Sequence, residues 1–422
     1  MLDINFIRQH PEEIKKGIAS KNVDPALVDA FLQSDVRWRE LSTEVDAMRA
    51  RQKKLGEERK VEEAKKLKEE LRLKEEALSA EEKAREEVLR QLPNPAFAYV
   101  PVGKSDKENV VLREVGEKPQ FDFTPKDYLA LAEALDCIDV PRGAKVSGAR
   151  FAYIKREAAM LEFALVRFVF DSLLPHGFIP VVPPVMVKEE MMRGMGYVDR
   201  GEDKDETYFL EKDGLYLVGT SEQSMGPMFA DEIFEEEELP KRYVAFSTCF
   251  RREAGSYGKD TKGILRVHQF DKLEMFSFCH PDRSGEEHKL LLSLEEQMMQ
   301  ALGVPYHVLD ICTGDLGTPA AAKFDIEAWM PGQNNGTGEY RETHSTSNTT
   351  DFQSRRLNIR FRPRADKEGT KKPEYVHLLN GTAFAIGRII IAILENYQRE
   401  DGTIGIPKAL QPYMGGMTEI KR

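Results

Sequence analysis

Residues 26–92 contain no proline, a run bounded by Pro25 and Pro93, and they are dense in Glu, Lys, Arg, Leu and Ala. Apolar side chains recur every seven residues along this run, through Phe31, Trp38 and Val45 and through Leu41, Met48 and Leu55. A seven-residue seam demands a partner helix. After Gly56 a second, weaker series runs through Ala64, Leu67, Leu71, Leu78, Val88 and Leu92, broken by Lys74, Glu81 and Arg85. The pattern predicts two long antiparallel helices that turn near 56–60. Pro93 and Pro95 close the second, because proline lacks the N–H a helix needs. From Arg49 to Lys68 there are nine Lys or Arg against four Glu, so the expected tip is basic in a chain of net charge −11. A basic tip suits a phosphate backbone. A solvated spacer or dimerisation hairpin is the alternative.

The 422-residue chain has ample material for a core, with 41% apolar residues. The start MLDINFIRQHPEEIKK is too charged for a signal peptide. Ala383–Leu394 is apolar but short and carries Arg388, so no membrane span is expected. Cys137, Cys249, Cys279 and Cys312 are widely spaced, which predicts reduced thiols, no zinc and a cytoplasmic protein.

Residues 94–150 read as a turn-rich connector with a helix at about 128–135. Beyond it, helices are expected at 151–174, 286–302 and 382–398. Strands are expected at 177–187, 207–219, 243–253, 264–279, 304–312, 323–330, 355–362 and 375–380. Many strands at hairpin spacing with helices at the ends predict an α+β fold: a mostly antiparallel sheet of six to eight strands, flanked by helices and preceded by the coiled-coil arm. The expected division is 1–95, a connector at 96–150, and 151–422.

Charge inside the predicted hairpin 243–279 needs a reason. Arg251 and Glu253, two apart, should share a face, as should Arg266, His268, Phe270, Lys272, Glu274 and Phe276 on the returning strand. The glycine- and lysine-rich loop AGSYGKDTKG joins them. These side chains form either a cross-strand ion-pair ladder or an anion site. Arg388 in an apolar helix asks likewise for a carboxylate or a ligand phosphate. No phosphate-loop or dinucleotide glycine pattern is present.

FRREAGSYGKDTKGILRVHQFDKLEM resembles motif 2 of the class II aminoacyl-tRNA synthetases, in its seryl-tRNA synthetase form. NGTAFAIGRIIIAILENYQREDGTIGIPKAL resembles motif 3, and GFIPVVPPVMV resembles motif 1, with Pro184 at its proline. These place the motifs at 379–410, 248–276 and 177–187. GTSEQS, ICTGDLG, ETHSTSNTTDFQSRR and the two-helix arm follow the same family order, so the resemblance spans essentially the whole chain.

The resemblance implies ATP-dependent activation of L-serine and its transfer to tRNA-Ser, possibly also tRNA-Sec, by a homodimer. It implies catalytic roles for Arg251, Glu253 and Arg388, with Arg251 on the α-phosphate and the serine carboxylate, Glu253 on the adenine amino group and Arg388 on the γ-phosphate. Arg252, Val267, Glu342, Thr343, His344 and Ser345 complete the implied ATP site, with Glu342 holding Mg²⁺. Thr220, Ser221, Glu222, Arg251, Glu274 and Thr382 are the implied serine contacts. Arg49, Arg51, Lys53, Lys54, Arg59 and Lys60 would meet the tRNA. Ser221, Thr343 and His344 depart from the usual residues of their motifs, and 332–340 looks like an inserted loop. The rival readings are a related enzyme that loads an amino acid onto a carrier protein, and a non-catalytic RNA-binding paralogue.

Overall fold

The structure is a computed structural model, and it describes residues 1–199, 205–254, 262–364 and 372–422. The expected loop AGSYGKDTKG therefore lies mostly outside the described residues. Two compact units meet in sequence at Pro95 and Ala96.

In the first unit, two long helices, α1 (Ala26–Glu57) and α2 (Val61–Gln91), are joined by three residues, with Arg59 in the left-handed region at φ 54°. Phe31, Val45 and Leu55 of α1 are buried, as are Leu67, Leu71 and Leu89 of α2. The charges that break the second seam face the first helix. Lys74 pairs with Glu44, Glu81 accepts from Ser34 Oγ at 2.6 Å, and Arg85 lies 4.3 Å over the Trp38 ring. Arg85 also reaches Asp35 at 2.9 Å, where Arg8 and Arg39 converge. Burial pulls the Asp35 carboxyl upward, but the three guanidinium groups outweigh it and hold it below the usual range.

The second unit is built on an eight-stranded sheet. Its strands are β1 (Val110–Val115), β2 (Phe178–Val181), β3 (Lys241–Phe250), β4 (Gln269–Cys279), β5 (Tyr306–Asp310), β6 (Ala322–Met330), β7 (Glu339–Asn348) and β8 (His377–Ala385). Their order is β1-β5-β6-β7-β8-β4-β3-β2, and every pairing is antiparallel except β2 with β3. Helices α3 (Arg156–Leu173), α4 (Ser284–Leu302) and α5 (Ile386–Asn396) supply the apolar layer. Leu165, Leu291 and Ile390 join Leu273, Ile326 and Phe384 in the main core.

Several boundaries differ from expectation for local reasons. The third strand stops at Phe250, because Glu253 takes φ 54° and turns the chain, so Arg251 and Glu253 do not share a strand face. The returning strand begins at Gln269, which leaves Arg266 and His268 in the neck of the hairpin. Residues 382–385 are strand, not helix, so Thr382 belongs to β8 and α5 begins at Ile386. Residues 355–362 split into a helix, Phe352–Leu357, and a three-residue strand, Arg360–Arg362. Motif 1 divides between β2 and Met186–Lys188, which pairs with a hairpin formed within 207–219. The central strand β7 has no counterpart in the sequence expectation.

Candidate functional site

A cavity of about 310 Å³ opens on the face of β7, β8 and β4 opposite α4, within the size range of small-molecule sites. Its wall carries Thr220, Glu222, Arg251, Glu253, Val267, Glu274, Glu342, Thr343, Ser345, Thr382 and Arg388, drawn from both predicted subsites. Arg252, Ser221 and His344 lie off this wall.

Arg251 is fixed where β3 ends. Its backbone N–H donates to His268 O at 3.0 Å, and its Nε–H donates to Gly219 O at 3.1 Å. The guanidinium stands 5.2 Å over the Phe270 ring. His268 Nδ1 lies 3.0 Å from Arg251 O, so this histidine closes the hairpin neck and is a satisfied structural residue. Glu253 faces Arg266 in an ion pair, with Arg150 Nη1 at 4.0 Å. Arg252 turns out to Tyr208, its guanidinium 5.8 Å over that ring.

One end of the cavity concentrates buried polar groups. Lys272 Nζ donates to Thr220 Oγ1 at 2.8 Å and pairs with Glu274. Thr382 stands opposite Glu274 in the strand register and donates to its Oε2 at 3.3 Å. Glu222, only 6% exposed, accepts from Gln353 Nε2 at 2.8 Å and from the Tyr197 hydroxyl at 3.1 Å. Burial, aided by the nearby charge of Glu274, pushes the Glu222 carboxyl above its usual range against the pull of Gln353 and Lys272. A cationic ligand group here would restore the charge that burial disfavours. Ser221, the residue between, is fully buried and off the cavity.

The other end is arginine-rich. Arg388 Nη1 donates to Glu342 O at 2.8 Å and stands 3.3 Å from Glu342 Oε2, while its Nε–H reaches Leu265 O at 3.4 Å. Burial works to raise the Glu342 carboxyl, but Arg388, Lys323 and Arg251 prevail and hold it below the usual range. A register shift opposite Ile326 and Glu327 brings both Glu342 and Thr343 to the wall, followed by Ser345. His344 points to the reverse side, where its Nδ1 meets Thr343 Oγ1 at 2.8 Å and its ring lies 5.6 Å from Phe384. Its expected place at the nucleotide is therefore corrected: burial makes it a neutral core residue, with a pKa lowered to about 3.

Tyr197, Gln353, Lys272 and Lys323 belong to the site without having been singled out as contacts. Lys272 carried a signal, since it stands two residues from Glu274 on one strand face. Gln353 lies in the helix Phe352–Leu357, which the sequence reading did not expect, and Tyr197 had no signal. The six basic residues of the predicted RNA contact are all exposed around the turn between α1 and α2. Arg49 is partly engaged, at 2.8 Å from Glu75.

Residues 1–96 match the seryl-tRNA synthetase N-terminal domain family, and residues 208–397 match the class II tRNA synthetase core domain family for G, H, P, S and T. The chain is 48% identical over 433 residues to the serine--tRNA ligase of Dictyoglomus turgidum, covering 100% of this chain and 99% of that one. It is similar in structure to the seryl-tRNA synthetase of Pyrococcus horikoshii solved with ATP, with TM-score 0.91, 40% identity, and coverage of 100% and 99%. The cytoplasmic serine-tRNA ligase of Naegleria fowleri, solved with AMP, matches at TM-score 0.89 and 34% identity, again over 100% and 99%.

Proposed function

The chain belongs to the seryl-tRNA synthetase family, and on that footing we propose that it activates L-serine with ATP and transfers serine to the 3′ end of tRNA-Ser. In the first step a serine carboxylate oxygen attacks the α-phosphorus, and pyrophosphate leaves with the electron pair of the broken bond. In the second, the terminal ribose hydroxyl attacks the acyl carbon, and AMP leaves. Both steps depend on positioning and charge neutralisation, which accords with a cavity walled by arginine, lysine and carboxylate.

The single observation that carries this reading is the polarity of the cavity. Thr220, Lys272, Glu274 and Thr382 are joined by hydrogen bonds and an ion pair, Arg388 pairs with Glu342, and Arg251, bonded to Gly219 O, also acts on Glu342. Glu222 suits the serine ammonium. Glu274 and Thr382 suit the serine hydroxyl, and a polar pocket of this kind rejects alanine because its groups would be left unpaired. Arg251 suits the α-phosphate together with the serine carboxylate, and Arg388 the γ-phosphate. Glu253 has lone pairs beyond those facing Arg266 with which to accept from the adenine amino group. Val267, Thr343 and Ser345 complete the nucleotide wall.

Mg²⁺ fits the same end. Glu342, held ionised, and the Ser345 hydroxyl on the same strand are hard oxygen donors, and Mg²⁺ shared with phosphates needs only one or two protein carboxylates. The ion would neutralise phosphate charge. A homodimer is supported by exposed apolar side chains on α3, β2 and their surroundings, Met160, Phe163, Leu174, Ile179 and Val182, whose association would remove them from water. The basic turn of the arm would grip tRNA through phosphate and shape. The reading places the enzyme in the cytoplasm with its tRNA. Charging assays with radiolabelled serine and transcripts of tRNA-Ser and tRNA-Sec test it. Acid-stable labelling of tRNA-Ser is expected, and none in the presence of active control tRNA contradicts the transfer step.

A further inference from the structure

One buried acid has no part in the reaction as described. Glu295 of α4 is 0% exposed, and among the described residues no group donates to either of its carboxyl oxygens. A carboxyl without donors in an apolar layer cannot hold a charge cheaply. Burial is the main force raising its pKa, reinforced by Glu274, Asp325 and Glu296 and opposed by Lys272. Its burial therefore favours the protonated form.

Its location relates it to the cavity. Side chains alternate along β8, so Asn380 and Thr382 face the cavity while Gly381 between them faces α4. A methyl group on Gly381 would come within 2.9 Å of Glu295 Oε1 and 3.1 Å of Thr346 Oγ1. The carboxyl thus fills the room that glycine leaves, directly behind the register pair Glu274 and Thr382. Around it stand Glu274 and Lys272 from β4, Asp325 from β6 and Glu296 from its own helix. His288, two turns earlier on α4, lies 3.1 Å from Thr346 O through its Nε2.

We propose that Glu295 is a positioning residue of the amino-acid subsite: its buried carboxyl fills the room left by Gly381 and supports the Gly381–Thr382 segment from behind. It rests on the assignment of Glu274 and Thr382 to serine. Replacing it by a smaller apolar residue lets the segment relax away from serine, and the isosteric amide keeps its shape.

The experiment compares E295Q and E295A with the parent enzyme in serine-dependent ATP–pyrophosphate exchange, with KM determined separately for serine and ATP. E295Q is expected within about twofold of the parent in both constants. E295A is expected to raise the serine KM roughly tenfold, with the ATP KM unmoved. Thermal unfolding of E295Q provides a second reading. A raised carboxyl pKa costs the folded state stability at any pH above the unfolded value of about 4.3, so E295Q should unfold at a higher temperature at neutral pH. The proposal is overturned if E295Q itself raises the serine KM tenfold, if E295A moves both constants or neither, or if E295Q is less stable than the parent. Absence of serine-dependent exchange in the parent enzyme overturns the underlying assignment, and this proposal with it.

Discussion

Lys272 Nζ donates to Thr220 Oγ1 across 2.8 Å and pairs with Glu274, so one buried ammonium joins β4 to the residues just before the short helix that Glu222 opens. With the Lys272 and Glu274 side chains only 7% and 2% exposed, neither charge is compensated by solvent. Lys272→Met leaves Glu274 unpaired beside Glu222, and breaking a buried pair in this way costs about 3–5 kcal/mol. Urea unfolding should show that loss. Exchange assays on the folded fraction should show a serine KM raised more than the ATP KM.

Arg388 is placed to act on phosphate through its fork. Arg388→Ala should lower kcat for exchange by roughly 10²–10³, the usual effect of removing one preorganised donor. Arg388→Lys should recover little, because the Nη1 and Nε donors now reach Glu342 and Leu265 in a geometry that a single ammonium cannot reproduce. Full recovery by lysine would mean that charge alone suffices.

The arm should separate RNA binding from activation. Substituting Lys53 and Lys54 by alanine should leave serine-dependent exchange unchanged and weaken tRNA-Ser binding. The slope of log affinity against log salt should flatten by about one for each lost phosphate contact. An unchanged salt slope would place the tRNA elsewhere.

How much of this was legible beforehand depends on what each residue faces. The arm read clearly because Phe31, Val45 and Leu55 repeat with the helix. Yet Lys74, Glu81 and Arg85, taken as breaks in the seam, are interhelical partners of Glu44, Ser34 and Asp35. Strand β7 escaped notice because Glu342, Ser345 and Ser347 face the cavity while His344 and Thr346 are buried behind it. Polar residues on both faces erase the apolar alternation by which strands are recognised. Thr382 was read as helical because Gly381 and Ala383 suit a helix start, whereas Gly381 serves a strand that must clear Glu295. Arg388 was legible as a lone charge on an apolar helix, and Arg251 and Glu274 as charges inside a predicted hairpin, whereas Glu222, in the polar stretch GTSEQS, was legible only through the family resemblance.

Two buried histidines of the second unit work against the folded state in acid. Burial lowers the pKa of His288 to about 4, against about 6.5 in the unfolded chain, and His344 lies lower still. At these two sites the unfolded state binds more protons below pH 6.5, so their contribution to stability falls as pH drops through that window toward about 4. His288 alone contributes about 3 kcal/mol to the fall. The melting temperature of His288→Gln should depend less steeply on pH between about 6.5 and 4.

The central claim is that this cavity activates serine, and ATP–pyrophosphate exchange across a panel of amino acids tests it most directly. The account predicts exchange with serine and far slower exchange with threonine and alanine, because alanine brings no hydroxyl to hydrogen-bond with Glu274 and Thr382. Exchange with another amino acid in preference to serine, or none with any, would contradict it.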